Sequence, residues 1–144
     1  MPTSYKVKNK LFSLLPMEIK GKIYELGSGW GTLLLLLAEK YPQYQILGLE
    51  SSPLPFWFSK LRLRPYPNVK VVREDFFSKN LSDTGLVVCY LYPGAMEKLK
   101  LKFEAELRPG AVVISNTFAV PGWVPENMFI VNDLYRTKIY FYKY

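Results

Sequence analysis

The segment Ile23-Tyr24-Glu25-Leu26-Gly27-Ser28-Gly29-Trp30-Gly31-Thr32 constrains the fold more than any other stretch of the chain. Apolar residues run into an acid, three glycines follow at alternate positions, and a leucine-rich helical stretch begins directly after them. A strand, a tight loop and a helix in that order open a parallel α/β sheet, because the helix carries the chain back before the next strand can pair. Glycines in such a loop let backbone N–H groups approach a bound molecule closely, with the positive end of a helix behind them.

The alternation continues along the chain. Strands are predicted at 22–26, 45–49 and 69–73, with helices at 32–40 and 53–64 between them. Tyr41-Pro42 ends the first helix, Pro53 opens the second at its first turn, and Pro65 and Pro67 end it. The unbroken apolar run 86–91 predicts a central strand covered on both faces. Met96, Leu99, Phe103 and Leu107 predict an amphipathic helix over 95–107, stopped by Arg108-Pro109-Gly110 before a strand at 111–115. After 121–125 the helical pattern stops, and 128–131 and 138–142 read as two strands around a charged turn. The expected architecture is an α/β sheet of seven strands, mostly parallel, with right-handed crossovers, helices on both faces and a C-terminal antiparallel hairpin at one edge. The 144 residues are expected to form one domain.

Composition excludes several chemistries. The chain has no histidine, which removes the usual neutral-pH base and the commonest metal ligand, so triad hydrolysis and zinc catalysis are poor candidates and no metal is expected. Cys89 is the only cysteine, so no internal disulfide forms and a reducing compartment is expected. Lys6, Lys8 and Lys10 before Leu11-Phe12-Ser13-Leu14-Leu15 imitate a signal peptide, but Pro16 and Glu18 interrupt it. No apolar run approaches the ~20 residues of a membrane span. A cytoplasmic or membrane-peripheral protein is expected.

Ligands of parallel sheets bind at the carboxyl ends of the strands, and three successive predicted strands end near an acid: Glu25, Glu50 and Asp75. In the dinucleotide fingerprint the third glycine lies farther along than Gly31 does here. Glu25, two residues before Gly27, would repel a pyrophosphate and attract an ammonium. Glu50 is placed to accept ribose hydroxyls and Asp75 an adenine amino group, with Phe76 or Phe77 as a ring wall. Taken singly, the glycines are a tight turn, Glu50 a solvated strand-end acid and Asp75 a turn cap. Together the three acids specify an adenosine carrying a charged amino-acid tail.

On these residues the chain resembles a class I S-adenosylmethionine-dependent methyltransferase of Rossmann-like fold, with residues 25–31 as its first motif. Pro2-Thr3-Ser4, Leu49-Glu50-Ser51-Ser52-Pro53, Trp57-Phe58-Ser59-Lys60 and Pro121-Gly122-Trp123 further resemble small protein-lysine methyltransferases related to the mitochondrial ATP synthase c-subunit enzyme. The resemblance implies S-adenosylmethionine as cofactor, with S-adenosylhomocysteine as product. It implies cofactor contacts from Glu25, Gly27, Ser28, Gly29 and Gly31, from Glu50, Ser51, Asp75 and Phe76, and from Tyr90. In the family the Pro-Thr segment lies over the cofactor, so residues 1–20 are expected near it, with Thr3 and Ser4 at its methionine end. Trp30 stands where the familiar form has Asp. Many relatives carry an N-terminal hydrophobic segment that is not expected here, leaving peripheral membrane contact.

The resemblance also implies a protein partner that presents an acceptor lysine. Methyl transfer from a sulfonium is an in-line displacement needing alignment in a dry pocket and no metal. Tyr90 and Tyr92, after the fourth strand, are expected to line the acceptor side, Tyr92 facing a cationic amine through its ring. Packing on the sheet is an equal alternative for both. Asn116, with Thr117, and Trp123 are expected to wall the acceptor channel, Trp123 equally serving as a lid or core residue. Residues 53–73 hold Lys60, Arg62, Arg64, Lys70 and Arg73 and no acid, a face for RNA or anionic lipid or an ordinary solvated surface. An RNA or small-molecule methyltransferase and a non-catalytic cofactor-binding module are the alternatives.

Overall fold

All six residues of strand β4 (Thr84–Cys89) are buried, and the side chains of the last four divide alternately between two core layers. Leu86 and Val88 enter one layer, Val87 and Cys89 the other. An unbroken apolar strand is stable only where both faces of the sheet are covered. The computed structural model, which describes residues 4–144, places β4 at the centre of one sheet. Its other strands are β1 (Lys22–Leu26), β2 (Ile46–Leu49), β3 (Val69–Val72), β5 (Val112–Asn116), β6 (Asn127–Ile130) and β7 (Lys138–Lys143). The spatial order is β3-β2-β1-β4-β5-β7-β6. The first five pair in parallel, Ile23 lying between Ile46 and Leu86. β7 is antiparallel to both β5 and β6, so the C-terminal hairpin enters the sheet by its second strand.

Helices α1 (Tyr5–Leu14), α2 (Thr32–Lys40) and α3 (Pro53–Arg62) belong to one side, α4 (Pro93–Glu106) to the other. On the first side Val7 and Leu11 of α1 pack with Leu33, Leu34 and Leu37 of α2 above Ile23, Val88 and Ile139. Leu63, just past α3, joins that layer. On the second, Met96, Leu99 and Phe103 cover Tyr24, Val87 and Val113. Among the described residues no helix is long and apolar enough to cross a membrane.

Most elements lie within two residues of expectation, and three differences bear on the site. α1 was not predicted. Ser4 caps it, its Oγ accepting the Val7 N–H at 3.2 Å, and Val7, Leu11 and Leu15 bury one stripe four residues apart. β4 stops at Cys89 instead of residue 91, because its ladder to Leu26 and Ser115 ends there and Tyr90 to Tyr92 leave the sheet. α4 starts two residues early, at Pro93, where a missing N–H costs nothing.

α2 is seated by a close approach. A Cβ on Gly48 of β2 would lie 2.3 Å from Cδ1 of Leu34, a side chain with no solvent exposure into which to retreat. Gly48→Ala is expected to lower the unfolding free energy by about 1–3 kcal/mol, read from urea titration, through this overpacking.

Candidate functional site

The loop between β1 and α2 folds as its glycines allow. Gly27, Gly29 and Gly31 all have positive φ, +71°, +56° and +87°. Gly31 is the position least open to substitution: besides its φ, a Cβ there would press on Ser59 Oγ at 3.1 Å and on the Leu63 side chain. The loop is held from both sides. The N–H groups of Gly27 and Ser28 both donate to the Leu49 carbonyl, at 2.9 and 3.1 Å. The Glu50 carboxylate takes the Gly29 N–H at 2.7 Å and the Ser52 N–H at 2.9 Å. From α3, the buried Ser59 hydroxyl donates to the Gly29 carbonyl and Arg62 Nη1 to the Trp30 carbonyl at 3.1 Å. The Trp30 ring meets Phe58 edge-on at 5.3 Å.

A cavity of about 650 Å³ opens beside this loop, at the carboxyl ends of β1 and β4. Glu25, Gly27, Ser28 and Gly29 form part of its wall, with Trp30, Thr32 and Leu33 from the loop end and α2. Tyr90, Leu91, Tyr92 and Phe118 close it opposite. Glu25 is only 3% exposed, and its Oε1 has no hydrogen-bond partner among the described residues. The Ser28 hydroxyl is likewise buried and unpaired. Burial first, and the Glu50 charge second, push the Glu25 carboxyl well above its ordinary range, against the opposing Leu34 backbone N–H. Two things relieve such a group, a proton or a cationic ligand, and an unpaired acceptor on a cavity wall fits the ammonium of an amino-acid-like molecule.

The structure gathers some predicted residues here and sends others elsewhere. Glu25, Gly27, Ser28, Gly29, Tyr90 and Tyr92 line the cavity, while Gly31 caps α2 behind it. Because β3, β2 and β1 are neighbours, Glu50 and Asp75 continue outward from Glu25 along adjacent strand ends. Asp75 caps a short 3₁₀ helix through Phe77 N–H at 3.0 Å, and Phe76 packs half-buried against Phe77. Ser51 is exposed, its carbonyl accepting Arg73 Nε at 3.4 Å. Thr3 lies outside the described residues.

Three expected residues lie outside the cavity wall. Ser4 caps α1 through the Val7 N–H, and its hydroxyl approaches Asp133 at 3.5 Å. Asn116 is buried, accepts the Thr117 hydroxyl at 2.9 Å and takes no part in the cavity wall. Trp123 packs among Phe103, Tyr142 and Tyr144, its centroid 5.3 Å from the last. The Tyr144 N–H donates to Ala111, just before β5, so Trp123 sits towards the amino-terminal end of that strand, away from the cavity. Phe118, from the same loop, lines the cavity. A reversal at Thr117, where φ is +74°, and a hydrogen bond from Ser115 Oγ to the Phe118 carbonyl return it to the wall. Nothing in the local sequence signals that reversal. Trp30, Thr32, Leu33 and Leu91 were also unexpected, although the first three directly adjoin the glycines.

Residues 25–127 match the profile of the ANTKMT methyltransferase domain family. The chain belongs to that family. A protein-lysine N-methyltransferase of Saccharolobus islandicus is 26% identical over 136 residues, spanning 92% of this chain and 84% of the relative. The ATP synthase c-subunit lysine N-methyltransferase of Xenopus laevis is 29% identical over 88% of this chain, but the match spans only 56% of that longer protein. The crystal structure of an RNA methyltransferase from Salinibacter ruber with S-adenosylhomocysteine superposes with a TM-score of 0.82, covering 99% of this chain and 93% of that one. At 23% identity that likeness establishes the fold.

The raised Glu25 pKa gives this methyltransferase domain a pH signature. Below about 4.5 the carboxyl is protonated in both folded and unfolded chains and contributes nothing. As pH rises from there to the raised folded value, the unfolded chain releases its proton first. Ligand-free stability should therefore fall through this window by up to about 1.4 kcal/mol per pH unit. Thermal melts across the window should show the decline, and Glu25→Gln should flatten it.

Proposed function

We propose that the cavity binds S-adenosylmethionine and that the chain transfers its methyl group to the amino group of a protein lysine. The observation that carries this reading is the buried Glu25 carboxylate at the cavity wall, whose Oε1 has no hydrogen-bond partner among the described residues. The cofactor supplies an electrophilic methyl group on a cationic sulfonium. Glu25 and the Ser28 hydroxyl take the ammonium and carboxylate of its amino-acid end. Glu50 accepts ribose hydroxyls on the lone pairs left after the Gly29 and Ser52 N–H groups, since a carboxylate accommodates about four donors. Asp75, whose Oδ1 is engaged by Phe77, takes the adenine amino group on its other oxygen, with Phe76 against the ring and Ser51 at the ribose edge.

On the acceptor side, Tyr90, Tyr92, Phe118 and Trp30 give the wall four aromatic rings. Such rings attract a cationic or methylated amine while excluding water from the reacting line. Tyr92, 67% exposed at the rim, is the first ring an incoming lysine meets. The relatives named as lysine methyltransferases support this acceptor. A second reading, methylation of RNA, is favoured by Arg62, which reaches from the basic stretch to Trp30 and Thr32 at the cavity. The proposed reading places the protein in the cytoplasm or at a membrane periphery, and the net charge of +7 favours contact with an anionic surface.

Calorimetric titration should show binding of S-adenosylhomocysteine and none of NAD; the reverse would reject the cofactor. Glu25→Gln should weaken S-adenosylhomocysteine binding roughly ten- to hundredfold, the loss of a charge-assisted contact. Incubating the protein with labelled cofactor and cell extract should place label on methyl-lysine in protein. Label confined to RNA would select the second reading. Tyr92→Ala should lower kcat/KM for the protein acceptor while leaving S-adenosylhomocysteine affinity unchanged.

A further inference from the structure

We propose that the outward face of α3 docks the protein onto an anionic lipid bilayer. The helix is apolar on two sides. Its inner side buries Phe56 and Ser59. Its outer side carries Leu54, Trp57, Phe58 and Leu61, which are 74%, 59%, 46% and 63% exposed. Their spacing is that of one helical stripe, so the four form a continuous strip where a surface helix ordinarily presents polar groups. Trp30, 54% exposed and in edge contact with Phe58, extends it to the cavity wall.

The charges beside the strip identify its partner. Lys60 Nζ lies 5.3 Å from the Trp57 ring, and the Arg62 guanidinium 5.7 Å from the Phe58 ring. Arg64, Lys70 and Arg73 follow, and no acid occurs between Glu50 and Glu74. The partner must accept leucine and tryptophan side chains and be negatively charged at the depth of the lysine and arginine heads. RNA would match the cations and leave Leu54 and Leu61 in water. An apolar protein face would cover the leucines and leave the cations without counter-charge. The boundary between acyl chains and anionic headgroups satisfies both, with Trp at the interface and Lys and Arg reaching the headgroups along their alkyl stems. Trp30 belongs to both strip and cavity wall, so docking brings the cavity to the bilayer surface.

Docking of this kind depends on neither the cofactor nor the acceptor, and the full ligand-free chain tests it. The protein should sediment with vesicles of phosphatidylglycerol and phosphatidylcholine, with a blue shift of tryptophan fluorescence, and stay in solution with phosphatidylcholine alone. The doubly substituted Leu54→Ser, Leu61→Ser protein should lose vesicle binding while keeping its circular dichroism spectrum and melting transition, since both side chains are exposed. Lys60→Gln and Arg64→Gln should each weaken binding about fivefold. Absence of sedimentation with the anionic vesicles, or sedimentation unchanged by the double substitution, would overturn the proposal. So would binding of single-stranded RNA, or self-association on gel filtration, that is abolished by the same double substitution.

Discussion

The path of the glycine loop is the constraint on which the site depends. Three left-handed residues within five turn the chain from β1 into α2, a conformation with no regular ladder to hold it. The holding groups come from two other segments: the Leu49 carbonyl and the Glu50 carboxylate at the end of β2, and Ser59 and Arg62 of α3. Because the loop ends in the cap of α2, those bonds also set where Thr32 and Leu33 enter the cavity wall. Glu50 thus has a structural task in addition to the ligand role proposed for it, and loss of its side chain would disturb both.

Glu25 shows the opposite balance. Its burial beside a second carboxylate destabilises the ligand-free protein, and no hydrogen bond to Oε1 among the described residues offsets this. An apolar side chain at that point on β1 would suit the fold better, because Glu25 is itself buried and Ile23, on the same face of the strand, is fully buried. A group that the fold does not require and that faces a cavity is explained by what enters the cavity. Under the role proposed for Glu25, a cation in the cavity would restore that stability and couple binding to folding through this one carboxylate.

The two faces of the sheet are covered unequally, and this divides the tasks. Three helices belong to the first side, where α2 and α3 carry the loop and the exposed strip. The second has α4, a single 3₁₀ turn and the loop between β5 and β6, whose Trp123 fills the space beside Phe103 and Tyr142. A loop that must serve as core cover cannot also spread over the cavity, and only its first residues, through Phe118, reach the cavity wall.

The alternation of strands and helices, the central position of β4, the glycine turn and the acids at three strand ends were all legible in the sequence. Each is a local pattern: side-chain period, proline and glycine punctuation, or an acid at the end of an apolar run. The fate of residues just beyond the strands was not legible. Phe118 and Trp123 are aromatic residues five positions apart in the same loop, yet one lines the cavity and the other packs beneath it. α1 was equally hidden, because Val7, Leu11 and Leu15 are a thin stripe among lysines until the leucines of α2 face them. The outer strip of α3 could be read as apolar but not as exposed, since only the packing of Phe56 and Ser59 inward shows which side is left over. Local sequence determined the elements and the chemistry available at their ends. Tertiary structure decided which of those groups meet, because a side chain's surroundings after a strand ends depend on chain reversals and packing against segments distant in sequence.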